Sequence, residues 1–99
     1  MSHTDESWSF ADPPNTAVFT TRAISLGLEP ICWVSHDKDD GAWQFHGGTV
    51  PPRAEDAAVV ALRTIVGLDP SVAELCDLPE GWCASRAVVG EAWKRQPRG

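Results

Sequence analysis

The spacing of apolar residues changes character along this chain, and each change marks an element. Between Thr16 and Leu26, Ala17, Phe19, Thr21 and Ala23 alternate with Val18, Thr20 and Arg22, a period of two that predicts a strand buried on at least one face. Gly27 to Pro30 then turns the chain. Alternation resumes at Ile31: Ile31, Trp33 and Ser35 share one face, while Cys32, Val34 and His36 share the other. On the return strand Trp43 and Phe45 lie together, opposed by Gln44 and His46. A turn from Asp37 to Gly41 sets Trp33 opposite Phe45 and Ser35 opposite Trp43. All three aromatics then fall on one face, whereas a slip of one residue scatters them.

Gly47 to Pro52 (GGTVPP) breaks the strand pattern, since proline cannot donate to a ladder. Beyond it Ala54, Ala58, Leu62 and Ile65, with Val59 and Val66 beside them, fall at helical spacing. Glu55 and Asp56 in the first turn complement the helix dipole, and Gly67 with Leu68 reads as a Schellman-type ending. Asp69 and Pro70 supply an N-cap and a first-turn proline for a short second helix, Pro70 to Cys76. Leu78 to Gly81 is a turn. Trp82 to Val88 and Glu91 to Arg95, joined around Val89 and Gly90, read as a second hairpin.

The order is β-β-β-α-(short α)-β-β, which predicts an α+β fold: a mainly antiparallel sheet with a helix packed on one face. Trp33, Trp43, Phe45 and Leu62 are the expected core. Residues 1–14 read as a mobile N-terminal tail that Trp8 and Phe10 could tack onto the body, 15–96 as one α+β domain, and 97–99 as a C-terminal tail.

Composition narrows the class. The chain has 99 residues, 42% of them hydrophobic, with five tryptophans, which fits one folded domain rather than a disordered segment. Fourteen acids against eight bases give a formal net charge of -6. That balance disfavours nucleic acid and anionic lipid as partners and favours a basic protein. Cys32, Cys76 and Cys83 are odd in number and lack CxxC spacing, so reduced thiols and a cytoplasmic location are expected. No signal peptide and no membrane-spanning segment are expected.

Two clusters invite chemistry. Asp37-Lys38-Asp39-Asp40-Gly41 resembles a calcium loop but is one residue short of the EF-hand spacing, lacks its closing glutamate and carries Lys38 among the carboxylates. A solvated turn explains it without a ligand. Cys32 and His46 face each other in the expected register, with His36 beside them, so these three are the candidates for a thiol or metal site. No third group to orient such a pair is evident. Phosphate-loop, GxSxG and HExxH motifs do not occur, and no cofactor is implied. Arg86, Lys94, Arg95 and Arg98 gather near the C-terminus, where they balance local charge.

Four segments together, TTRAISLGLEPICWVSHD, DDGAWQFHGG, IVGLDPSVAEL and LPEGWCASR, resemble the DUF 2185 group of small, mostly bacterial proteins, a class also catalogued among toxin-immunity proteins. The similarity spans residues 16–95, and DDGAWQF is its most distinctive piece. The chain departs from the family pattern in its shorter acidic loop, with His36 and Lys38, and in the Pro51-Pro52 break. The resemblance implies an α+β domain that binds and neutralises a toxin, and it brings no catalytic residue that maps onto this chain.

The expected function is therefore a non-enzymatic protein-binding domain of immunity type. Asp37, Asp39 and Asp40 would meet a basic partner, and Trp82 and Trp93 would anchor the contact. A small metal- or thiol-dependent enzyme using Cys32, His36 and His46 is the alternative, and a homodimer through an open sheet edge a third arrangement.

Overall fold

The computed structural model describes residues 8–47 and 54–98. It is a mixed α+β fold built on a six-stranded sheet. The strands are β1 (Ala17–Thr21), β2 (Trp33–His36), β3 (Trp43–His46), β4 (Ala57–Ala61), β5 (Trp82–Ser85) and β6 (Lys94–Pro97). They lie in the order β4-β1-β3-β2-β5-β6. Only β1 and β3 run parallel; the other neighbours are antiparallel. Helices α1 (Arg22–Ser25) and α2 (Leu62–Leu68) and a 3-10 helix (Pro70–Leu75) complete the domain.

One face of the sheet carries the core. Val18, Val34, Trp43, Phe45 and Ala84 point from it into a cluster with Ile24, Leu62, Ile65, Val72, Leu75 and Leu78. Each fully buried side chain of this kind contributes roughly 1.5–3 kcal/mol. The sheet's apolar face and the apolar sides of the helices thus cover one another. Trp43, Phe45 and Leu62 are buried as expected. Trp33 is not in this cluster.

The central hairpin has a different register from the expected one. Trp33 pairs with His46, Val34 with Phe45, Ser35 with Gln44 and His36 with Trp43. Asp37 in turn faces Ala42, its N–H donating to the Ala42 carbonyl at 2.7 Å, and Asp40 Oδ1 accepts from the Ala42 N–H at 3.0 Å. This shift of one residue in the pairing reverses the facing of the whole first strand. Val34 and His36 therefore join Trp43 and Phe45 on the core face. Trp33 crosses to the other side, where it stacks on His46 with ring centroids 4.9 Å apart.

The helix expected from Ala54 to Val66 is instead a 3-10 turn (Ala54–Asp56), then β4, with α2 beginning only at Leu62. Alanine and valine in AAVVA satisfy either period, and the open edge of β1 decides between them: all five β4 residues pair with β1. The true order thus has a strand where the first half of the helix was expected. Leu62 and Ile65 keep their predicted burial. Gly67 lies inside α2, and the helix closes with the Asp69 N–H donating to the Ile65 carbonyl at 3.0 Å rather than with a Schellman turn.

The first strand is shorter than its pattern, because the Thr21 hydroxyl accepts from the Ile24 N–H at 3.2 Å and starts a single helical turn. The second helix forms where expected, as a 3-10 helix. Its Asp69 cap accepts from the Ser71 N–H at 3.0 Å. The second hairpin forms too, but its connection spans residues 86–93 rather than a tight turn at Val89 and Gly90. Arg86 is buried there, its N–H still donating to the Cys32 carbonyl at 3.0 Å. In the N-terminal segment Phe10 is buried edge-on against Trp43 at 5.2 Å. Of the GGTVPP break, residues 48–52 lie outside the described residues, as do residues 1–7 of the N-terminal segment and Gly99.

Candidate functional site

The turn after β2 and the turn before β5 meet at one end of the sheet. The Gly81 N–H donates to the His36 carbonyl at 2.7 Å, and the Arg98 N–H donates to the Gly81 carbonyl at 2.7 Å. Both turns need glycine: Gly41 has φ 71° and Gly81 φ 86°, a region that side-chain-bearing residues avoid. A methyl group at Gly41 would lie 2.9 Å from Glu80 Oε2, which shows how closely the two turns approach.

Between them lies an open depression of about 640 Å³. Its lining includes Asp37, Asp39, Asp40 and Glu80, with Lys38, Arg98 and the partly exposed Trp82. Carboxylates outnumber cations around it. Three of the four acids came from one sequence cluster. Glu80 and Arg98 were missed, since no local pattern links positions about forty and sixty residues away to the acidic turn.

The carboxylates are not equivalent. Asp37 is held from three sides: Ser35 Oγ donates to Oδ1 at 3.0 Å, Gln44 Nε2 to Oδ2 at 2.6 Å, and Arg98 Nη1 to Oδ1 at 3.0 Å. It organises the turn. Asp40 caps the turn through Ala42. Asp39 and Glu80 are exposed and face outward with Lys38.

Trp93 is placed elsewhere. Like Trp82 it packs against the core, here under the Arg86 guanidinium, 4.1 Å from the ring centroid, and unlike Trp82 it does not line the depression. Arg86 is buried and pairs with Asp69, while donating to Ser71 Oγ at 2.9 Å and to the Ile31 carbonyl at 2.8 Å.

Cys32 and His46 are neighbours across the hairpin, the Cys32 N–H donating to the His46 carbonyl at 2.9 Å, but the side chains of Cys32, His36 and His46 do not form one group. The register puts the two histidines on opposite faces of the sheet. His36 stacks on Trp43 at 3.9 Å, with Nδ1 2.8 Å from the Leu78 carbonyl. His46 stacks on Trp33 across the sheet. Burial, reinforced by the Arg98 charge and partly opposed by Asp37, holds the His46 pKa below the ordinary histidine value. Cys32 is buried with its thiol 4.0 Å from the Ala87 carbonyl. Among the described residues no group of three or more His, Cys, Asp or Glu side chains is arranged to hold a metal ion.

No helix among the described residues is long and apolar enough to cross a membrane. No family model matches the chain, and no curated protein or solved structure matches it.

Proposed function

We propose that this chain is a non-enzymatic protein-binding domain, of the immunity type its sequence resembles, whose carboxylate-lined depression receives a basic protein partner. The observation that supports this most directly is the convergence of Asp39, Asp40 and Glu80 beside Trp82 at the seam of two turns. Outward-facing carboxylates accelerate encounter with a cationic surface, and a partly exposed indole next to them supplies apolar contact area. Asp37 keeps the turn in shape and is not itself offered to the partner.

The test is binding to a candidate toxin encoded beside the gene, measured by association rate across a salt series. Asp39→Asn, Asp40→Asn and Glu80→Gln together should slow association and flatten its salt dependence, leaving the melting temperature near that of the parent. An unchanged rate and salt slope would remove the depression from the mechanism.

A further inference from the structure

The two edges of the sheet differ in a way that points to a partner for one of them. The β6 edge carries Lys94, Arg95 and Pro97, the charges and proline that discourage another strand from docking. The β4 edge is Ala57-Ala58-Val59-Val60-Ala61, with neither charge nor proline.

The register fixes which backbone groups this bare edge presents. The Leu62 N–H donates to the Thr16 carbonyl at 2.8 Å, so Val18/Val60 and Thr20/Ala58 are the hydrogen-bonded pairs of the β1–β4 ladder. The edge consequently presents the N–H and C=O of Val59, the C=O of Ala57 and the N–H of Ala61, while the Ala57 N–H closes the preceding 3-10 turn and the Ala61 C=O accepts the first hydrogen bond of α2. No described strand lies beyond them, because β4 ends the sheet. On the sheet face away from the helices, Val59 is 60% exposed beside its cross-strand neighbour Phe19, 44% exposed.

We propose that the β4 edge pairs antiparallel with the β4 edge of a second copy of this chain, about a two-fold axis at Val59. This is the arrangement the strand's own chemistry fits. Turned about Val59, Ala57 meets Ala61 of the second copy, and Val59 meets its equivalent, so the opposed positions carry no like charges. The exposed residues at the strand's ends are complementary: Glu55 lies at its start and Arg63 just past its finish, and antiparallel pairing brings the acidic end of each copy toward the basic end of the other. The same operation joins Phe19 and Val59 of both copies into one apolar row, and the two sheets become a continuous twelve-stranded one. Such a contact is isologous and closes on itself, giving a dimer rather than a fibre. Self-pairing through β6 would instead set lysine and arginine side chains against each other.

The full chain should sediment as a dimer that dissociates on dilution. Val59→Lys places two cations opposite each other at the axis and should raise the dimer dissociation constant at least ~tenfold, with the circular dichroism spectrum unchanged. Val59→Cys tests the register without disrupting the edge. The hydrogen-bonded pair sets the two Cα atoms about 5.5 Å apart, within disulfide reach, so mild oxidation should give a covalent dimer well above any formed by the parent chain. A parent chain that stays monomeric at all concentrations, a folded Val59→Lys variant that still dimerises, or a Val59→Cys variant that cross-links no more than the parent would overturn the proposal. If Val59→Lys does not fold, sedimentation of the parent and the cysteine variant decide it.

Discussion

The guanidinium of Arg86 lies over the ring of Trp93, 4.1 Å from its centroid, while its nitrogens reach Ile31, Asp69 and Ser71. One buried cation thereby ties the loop after β5 to the entry of β2 and to the cap of the 3-10 helix. Few side chains other than arginine could do this. Its planar, five-donor fork serves a carbonyl, a hydroxyl and a carboxylate together while stacking on an indole.

Removing that cation should strip Asp69 Oδ2 and the Ile31 carbonyl of the donors it supplies, leaving Asp69 with Ser71 alone. Arg86→Met is expected to cost about 3 kcal/mol in urea unfolding, the range seen when one partner of a buried ion pair is lost. Arg86→Lys should recover less than half, because a single ammonium cannot reach all three acceptors. A cost for Arg86→Met no larger than that of an exposed substitution would show that the pair does not hold these elements together.

The same pair sets a pH dependence. Burial alone would raise the Asp69 pKa, but the Ser71 hydroxyl and N–H, together with Arg86, outweigh it and hold the carboxyl below its ordinary value of 3.8. The folded state thus binds its proton less readily than the unfolded state. Its contribution to stability is complete above the unfolded pKa and is lost as pH falls through the folded one. Ser71→Ala removes a hydrogen bond to the carboxylate, so its acid-unfolding midpoint should move to higher pH. An unmoved midpoint would mean that Asp69 is not among the groups driving acid unfolding.

His46 gives a second, separable titration. With its pKa lowered from 6.5, chiefly by burial and then by Arg98, the neutral ring is the form the fold favours. Stability from this residue is full above pH 6.5 and declines as pH falls below it toward the folded value. The His46 ring protons should therefore titrate below the ordinary midpoint in an NMR series. Arg98→Met removes the repelling charge and should move that midpoint upward. A shift in the opposite sense would mean that releasing Asp37 from Arg98 has changed the surroundings of His46 more than the lost charge.

How much of this was legible in the sequence depended on whether the decisive partner was local. The Asp69 cap, Pro70 at its first turn, the positive-φ glycine at position 41 and the burial of Trp43, Phe45 and Leu62 follow from neighbouring residues, and the structure contains them. The facing of Trp33 did not follow. It turns on whether Ala42 pairs with His36 or with Asp37, which the Asp37 and Asp40 hydrogen bonds settle in favour of Asp37. The strand at Ala57–Ala61 was hidden for a different reason. Alanine favours helix and valine strand, so only the distant edge of β1 could choose. At the acidic depression, the local turn supplied Asp37, Asp39 and Asp40, while Glu80, Trp82 and Arg98 arrive through strand pairing between β2, β5 and β6.

Phe10 offers a direct measure of whether the N-terminal segment belongs to the folded body. Its ring is buried and meets Trp43 edge-on, and Asp12 two residues later accepts from Trp43 Nε1 at 3.3 Å and, through its backbone carbonyl, from Trp8 Nε1 at 2.7 Å. The segment thus covers one side of the largest core side chain. Phe10→Ala should cost about 3 kcal/mol, at the lower end for deletion of a buried phenyl ring because the cavity opens close to the surface. Ser9→Ala, at an exposed position beside it, should stay within about 0.5 kcal/mol of the parent. Tryptophan fluorescence should also shift to longer wavelength in the phenylalanine variant as water reaches Trp43. If Phe10→Ala unfolds at the same urea concentration as the parent and leaves the emission unchanged, Trp43 is shielded by the sheet and helices alone and the N-terminal segment contributes nothing to the core.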